Sequence, residues 1–243
     1  MQNTKNLFII FLSLWVLSAC NCHSGNSQTN FDTQMVIDTQ TMKCHQILDS
    51  LKLKYPIDSI LNIVNKKGNI WIKSWKKVSK NFGVQDFQYD SDGCLQNVFS
   101  YDIEPDRDYL KHLSQCRDLF CFSDDKSKYV DMYSYRISLE KENDTIFARF
   151  DVDTKIFIVE NNHYIELFTS GTIETYNDCI WIDDDYFVLL GSRSEFQDKE
   201  YFRPFIFVYN ISNNYYWNYI NKLTFDKKNE QFFKDKFPKI EIR

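Results

Sequence analysis

Two groupings of side chains in the sequence have spacings suited to acid–base chemistry. Asp108 and His112 lie four positions apart, so on a helix they share a face, where a carboxylate can orient an imidazole for proton transfer. Asp183-Asp184-Asp185 sets three carboxylates in a row between two apolar runs, a pattern that could hold a cation or supply paired acids. A third cluster, Asp102, Glu104, Asp106 and Asp108, invites a calcium reading. An EF-hand loop counted from Asp102 needs Gly at its sixth place and Glu at its twelfth, and the chain has Arg107 and Leu113 there. The chain has only four histidines, and neither His112 nor His163 is joined to a Ser or Cys nucleophile by a motif. GxSxG, HExxH, the P-loop and GxGxxG are all absent. Plainer roles fit these acids: complementing a helix dipole near residues 102–108, and solvating a turn at 183–185. The expectation is therefore a chain with no catalytic residue, no cofactor and no metal.

The first twenty residues carry an address. Lys5 is a short basic segment, and Leu7 to Val16-Leu17 is an apolar run broken only by Ser13. A membrane-spanning helix needs roughly 20 apolar residues to cross about 30 Å of hydrocarbon, so this run is too short to span and has the length of a signal-peptide core. Leu17-Ser18-Ala19-Cys20 follows, with the polar stretch Asn21 to Asn26 directly after it. Here the chain resembles the bacterial lipoprotein family, whose lipobox is an aliphatic residue, two small residues and a cysteine. The resemblance covers residues 1–20 only. It implies that residues 1–19 are a cleaved signal peptide and that Cys20 is the lipid attachment site. The partner it implies is a membrane, held through N-terminal acyl chains, and the location is the cell envelope. In that family an Asp just after the cysteine retains enteric lipoproteins at the inner membrane; Asn21 stands there, which favours the outer membrane in a Gram-negative host.

Behind the lipobox, residues 20–38 are rich in Asn, Ser, Gln and Thr and read as a tether, leaving 39–243 as a single globular domain. Cys44, Ile47, Leu48 and Leu51, then Ile57, Ile60, Leu61 and Val64, recur at helical spacing, with Pro56 opening the second helix and Gly68 ending it. Ile70 to Trp75 reads as the start of a strand, and Phe87 to Val98 as a hairpin turning at Asp90-Ser91-Asp92-Gly93. Pro105 to Phe120 reads as an inserted helix with Tyr109, Leu113, Cys116 and Phe120 as its apolar stripe. From Tyr133 onward short apolar strands alternate with polar turns, and two stretches, 129–168 and 178–220, each read as four strands in the manner of a propeller blade. There are too few strands to close a propeller. The fold expected is mainly β within the α+β class: an antiparallel meander forming an open twisted sheet or a two-sheet stack, with helices covering a face or edge.

Composition narrows the partners. Hydrophobic residues make up 43% of the 243 and the formal net charge is −5, so the chain can bury a core and has no field suited to nucleic acid. Aromatics reach 17%, which suggests a surface for stacking on sugars; Trp71, Trp75, Tyr216, Trp217 and Tyr219 are the candidates. Lys222 to Arg243, basic with interleaved Phe, reads as a docked amphipathic tail. Six cysteines remain beyond Cys20, with no CxxC pair, and six allow fifteen disulfide connectivities, with Cys116 among the less suited participants because it sits on the helix stripe. Asp49-Ser50-Leu51, Asp58-Ser59-Ile60 and Asp144-Thr145-Ile146 resemble the O-glycosylation triplet of some Gram-negative gut bacteria, and Thr145, just past a turn, is the most accessible. The function expected is non-catalytic: a binding or envelope-scaffolding lipoprotein, whose partner is a glycan or an envelope protein. A hydrolase without a recognisable motif is the alternative.

Overall fold

A computed structural model of the protein describes residues 47–95, 98–102, 114–143, 145–151, 153–161, 163–196 and 200–243. The lipobox, Cys20 and the tether lie outside the described residues, as do Cys22, Cys44 and the whole of 103–113 with His112.

The described chain is mainly β. Helix α1 covers residues 47–54, α2 Ile57–Lys67 and α3 Asn69–Val78. Strands β1 (Phe87–Cys94), β9 (Glu174–Asp183), β10 (Tyr186–Phe196), β11 (Glu200–Asn210) and β12 (Tyr215–Asn221) form one antiparallel sheet in the order β1-β12-β11-β10-β9. A second sheet has the order β2-β8-β7-β4-β3, from β2 (Phe99–Asp102), β8 (His163–Ser170), β7 (Thr154–Glu160), β4 (Lys128–Asp131) and β3 (Cys121–Phe122). A small third sheet pairs β5 (Ile137–Glu142) with β6 (Thr145–Phe150), and β13 (Ile240–Ile242) adds to β6 in parallel. Helix α4 (Gln231–Lys236) precedes β13.

Alternation along β9 to β12 makes the first sheet the middle layer. Ile180, Val188, Leu190, Ile206, Val208 and Trp217 face one way and pack under the helices, against Ile60, Val64, Trp71 and Trp75. Their neighbours Trp181, Phe187, Leu189, Phe207 and Tyr209 face the other way and meet Val130, Ile156, Ile158 and Leu167 of the second sheet. Strands apolar on both faces are what a sheet covered on both sides requires. The tail docks, as its pattern suggests: consecutive residues of α4 split between the layers, Phe232 entering the helix-side core and Phe233 the core between the sheets.

With so few glycines, the tight turns use asparagine. Asn143, Asn161 and Asn214 take φ of 56°, 51° and 56°, closing the β5–β6, β7–β8 and β11–β12 hairpins. Asparagine visits this left-handed region more easily than other residues with a Cβ.

Several local expectations are corrected. Ile70 to Trp75 is helix α3, not a strand. The alternation of Ile70 and Ile72 is local; Trp71, Ile72, Trp75 and Val78 follow helical spacing, with Lys73, Lys76 and Lys77 on the opposite side. Gly68 does end α2, as read, and α3 follows it directly. A Cβ there would meet the Val64 carbonyl at 2.8 Å and Leu190 at 3.0 Å. Asp90 to Gly93 is not a turn. It lies inside β1, which pairs with β12 through a bulge between Tyr89 and Ser91, and Gly93 leaves room for the Tyr216 hydroxyl, 2.9 Å from where its Cβ would be. Stretch 178–220 is four consecutive strands of one sheet, as read. In 129–168, however, β4 pairs directly with β7, and the β5–β6 hairpin leaves to build the small sheet. Tyr133 to Arg136 is the turn into that hairpin rather than its first strand. Of the inserted helix only the end is described, a turn at 114–116 running into a 3-10 turn at Arg117–Leu119, with Cys116 buried.

Candidate functional site

Where the β5–β6 hairpin, the start of β9 and the approach to α4 converge, a cleft of about 550 Å³ opens, and Arg136 lines it. The turn that positions Arg136 is set by Asp131, buried at the end of β4. Its Oδ1 accepts the Tyr133 amide at 3.0 Å and the Ser134 amide at 2.9 Å, and its Oδ2 accepts the Ser134 hydroxyl. This Asx-type turn is a local alternative to strand pairing and explains why the chain leaves β4 here. The Tyr133 carbonyl then accepts the amides of Arg136 and Ile137, and the Arg136 carbonyl accepts the Asp151 amide at 2.7 Å, pinning the turn to the end of β6.

The Arg136 guanidinium is largely enclosed. It lies over the rings of Phe150 and Tyr133, at 4.9 Å and 5.7 Å from their centroids. Its hydrogen bonds among the described residues are long ones, Nη1 to Thr154 Oγ1 at 3.3 Å and to the Tyr176 carbonyl at 3.5 Å. Among the same residues Nε finds no partner and Arg136 forms no ion pair. Burial pulls its pKa below the ordinary arginine value, yet an arginine remains cationic at neutral pH. Burial also raises the hydroxyl of Tyr133, which donates to the Asn177 carbonyl at 2.5 Å and stays neutral.

Across the cleft stands Asn229, itself buried. Its Nδ2 donates to Ser74 Oγ at 2.8 Å, so α3 fixes the amide, while its Oδ1 is left without a partner. Two residues of one cleft thus each carry a buried polar atom, a donor and an acceptor, without a partner among the described residues. Buried polar atoms are paired in the great majority of cases, so each such exception calls for an explanation. Glu174, also in the lining, is already engaged by Arg193 at 3.0 Å and by the Tyr176 hydroxyl at 2.7 Å. No sequence motif marks Arg136 or Asn229. The one available signal was Asp131-x-x-Ser134, a turn-forming pair inside a run of alternating residues.

The residues singled out by sequence are placed elsewhere. Trp71, Trp75, Trp217 and Tyr219 are buried and form no sugar-stacking platform. Helical spacing turns Trp71 and Trp75, and strand alternation turns Trp217 and Tyr219, into the helix-side core, where large aromatics gain most from leaving water. Tyr216 is half-buried, stacked on Phe207 at 5.1 Å between centroids. Asp183 is a structural turn acid, accepting from Tyr55, Lys54 and the amides of Asp185 and Tyr186. His163 Nδ1 lies 2.7 Å from Asp102 Oδ1 across the β2–β8 pairing, on an exposed edge. Thr145 is half-buried as the first residue of β6, opposite Glu142, and Asp144 before it lies outside the described residues. Among the described residues no group of three His, Cys, Asp or Glu could hold a metal ion. Compared with known protein families, curated proteins and solved structures, the chain has no match in any of the three.

Proposed function

We propose that the chain is an acyl-anchored extracytoplasmic lipoprotein whose globular part binds a small hydroxylated monocarboxylate, such as a sugar acid, without chemical turnover. The anchor rests on Leu17-Ser18-Ala19-Cys20 after a short apolar run, and three acyl chains would hold the chain at a membrane surface durably. The binding role rests on one observation, that a single cleft is lined by both Arg136, with Nε unpartnered, and Asn229, with Oδ1 unpartnered, among the described residues. A carboxylate answers the first and a hydroxyl donor the second. The acids Asp151 and Glu230 share that lining with Lys228 and Lys234, so around Arg136 the charges are mixed and a ligand carrying a single carboxylate suffices. The lining offers a positioned cation but no Ser, Cys or His, and its Glu174 is engaged by Arg193 and Tyr176, which suits recognition better than nucleophilic catalysis.

The test is calorimetric titration of the full chain with galacturonate and, in parallel, with galactose. The acid is expected to bind at least about tenfold more tightly, the worth of one charge-assisted hydrogen bond. Arg136→Gln should remove that preference while the near-ultraviolet spectrum shows an intact fold. Equal binding of acid and neutral sugar, extended to other hydroxymonocarboxylates with the same result, would set the carboxylate site aside and leave envelope scaffolding as the better reading.

A further inference from the structure

Strands β3 and β9 are the terminal strands of the two stacked sheets, and a cysteine from each meets the other where these edges cross. The Cys121 thiol donates to the Cys179 carbonyl at 3.0 Å, and Trp181 Nε1 donates to the Cys121 carbonyl at 2.8 Å, so backbone and side chain both hold β3 against β9. Neither sulfur is in a disulfide in this structure. Cys121 is partly exposed, Cys179 is buried, and both line a surface cleft of about 360 Å³ that shares no lining residue with the Arg136 cleft. Lys67 and Lys236 line it too, together with Asp124 and Asp178. Lys67 is committed to the Trp181 carbonyl and Lys236 to Asp178.

We infer that Cys121 and Cys179 are a redox pair that closes, by exchange with a low-molecular-weight disulfide of the glutathione type, into a bridge between the free edges of the two sheets. The Cys121 thiol loses its proton and its sulfur attacks one sulfur of the external disulfide. That S–S bond breaks, and the departing thiolate takes up a proton. Cys179 then gives up its own proton, and its sulfur attacks the mixed disulfide at Cys121, releasing the second external thiolate, which is protonated in turn. The protein dithiol is oxidised by two electrons, one external disulfide is reduced to two thiols, and no other reactant is needed. The order of attack follows from exposure. Cys121 reaches solvent, whereas burial and the adjacent Cys121 thiol hold Cys179 well above the ordinary thiol pKa, so Cys179 resolves rather than initiates. The bridge would close a loop spanning 58 positions and bind covalently two terminal strands that the two hydrogen bonds above already hold together.

The experiment needs no ligand and no membrane, so it stands apart from the proposed function. The purified full chain is reduced, equilibrated with oxidised glutathione under native conditions, alkylated and mapped by peptide mass spectrometry. The expected result is a peptide pair linking Cys121 to Cys179, lost on treatment with dithiothreitol, together with a thermal midpoint several degrees above that of the reduced chain. Cys179→Ser should stop the reaction at a glutathione adduct on Cys121, and Cys121→Ser should leave Cys179 unmodified. Recovery of both cysteines in alkylated form from folded wild-type protein, stable separate adducts, or linkage of either to a different cysteine would each overturn the inference, independently of whether the variants fold.

Discussion

The Tyr55 hydroxyl, at the end of α1, donates to Asp183 Oδ2 at 2.6 Å, joining the helical layer to the β9–β10 turn across 128 positions of sequence. Lys54 reaches the same oxygen at 2.9 Å, while Asp183 Oδ1 accepts the amides of Asp185 and Tyr186. One carboxylate therefore shapes the turn and docks the helices on it. The Tyr55 pKa is pushed up to about 12, by burial first and by this bond second. Burial pushes the Asp183 pKa up as well, but the bonds from Tyr55, Lys54 and the Asp185 amide outweigh it and leave the carboxyl below its ordinary value.

That relationship carries a pH signature. A group whose pKa is lowered by folding contributes stability that is fully present above its unfolded value of about 3.9 and is lost as the pH falls through the folded value. Asp183→Asn should cost about 1–2 kcal/mol at neutral pH. The gap between wild type and variant in urea unfolding should shrink as the pH falls below about 4. A gap of equal size at neutral pH and at pH 2 would show that the charge on Asp183 is irrelevant.

Trp217 and Tyr216 are adjacent and should behave oppositely. Trp217 is fully enclosed in the helix-side core, so Trp217→Ala should cost about 3–5 kcal/mol in chemical denaturation. Tyr216 is half-buried on the other face, and Tyr216→Ala should cost clearly less. Similar losses for the two would contradict the alternation along β12.

Gly191 sits within β10 where no side chain fits. A Cβ would come within 2.4 Å of the Thr175 carbonyl and 2.5 Å of the Phe205 ring. Gly191→Ala should destabilise by about 1–3 kcal/mol through overpacking. Gly171→Ala is the control, since its Cβ would meet only Asp153 Oδ1 at 3.7 Å and its thermal midpoint should stay near wild type.

The anchor is tested apart from the fold. Cys20→Ala should abolish incorporation of radiolabelled palmitate and leave the precursor uncut on an immunoblot. Unchanged labelling of the variant would remove Cys20 as the lipid site.

Strands β9 to β12 of the middle sheet were legible because period-two alternation is a local signal, and Asp183-Asp184-Asp185 is a turn former in itself. Helix α3 was misread because six residues with two isoleucines at alternate places look like a strand. Only the contact of Trp71 and Trp75 with Phe82, Phe87 and Phe225 shows which period the chain obeys. The bulged path of β1 was hidden for a related reason. Asp90 to Gly93 has turn composition, but β12 was available to pair with it, and pairing satisfies more backbone groups than a turn does.

By itself the sequence determined the mainly β class and most strands of the second half, because each depends on order along the chain, and it is also the sole source of the proposed lipobox at Cys20. It could not say which aromatics face water, since burial of Trp71, Trp75, Trp217 and Tyr219 depends on what covers each face. Nor could it bring Arg136 to Asn229, which lie 93 positions apart, or Cys121 to Cys179. Those meetings were decided by the tertiary structure, because stacking two sheets and docking a C-terminal helix create neighbours that spacing along the chain does not encode.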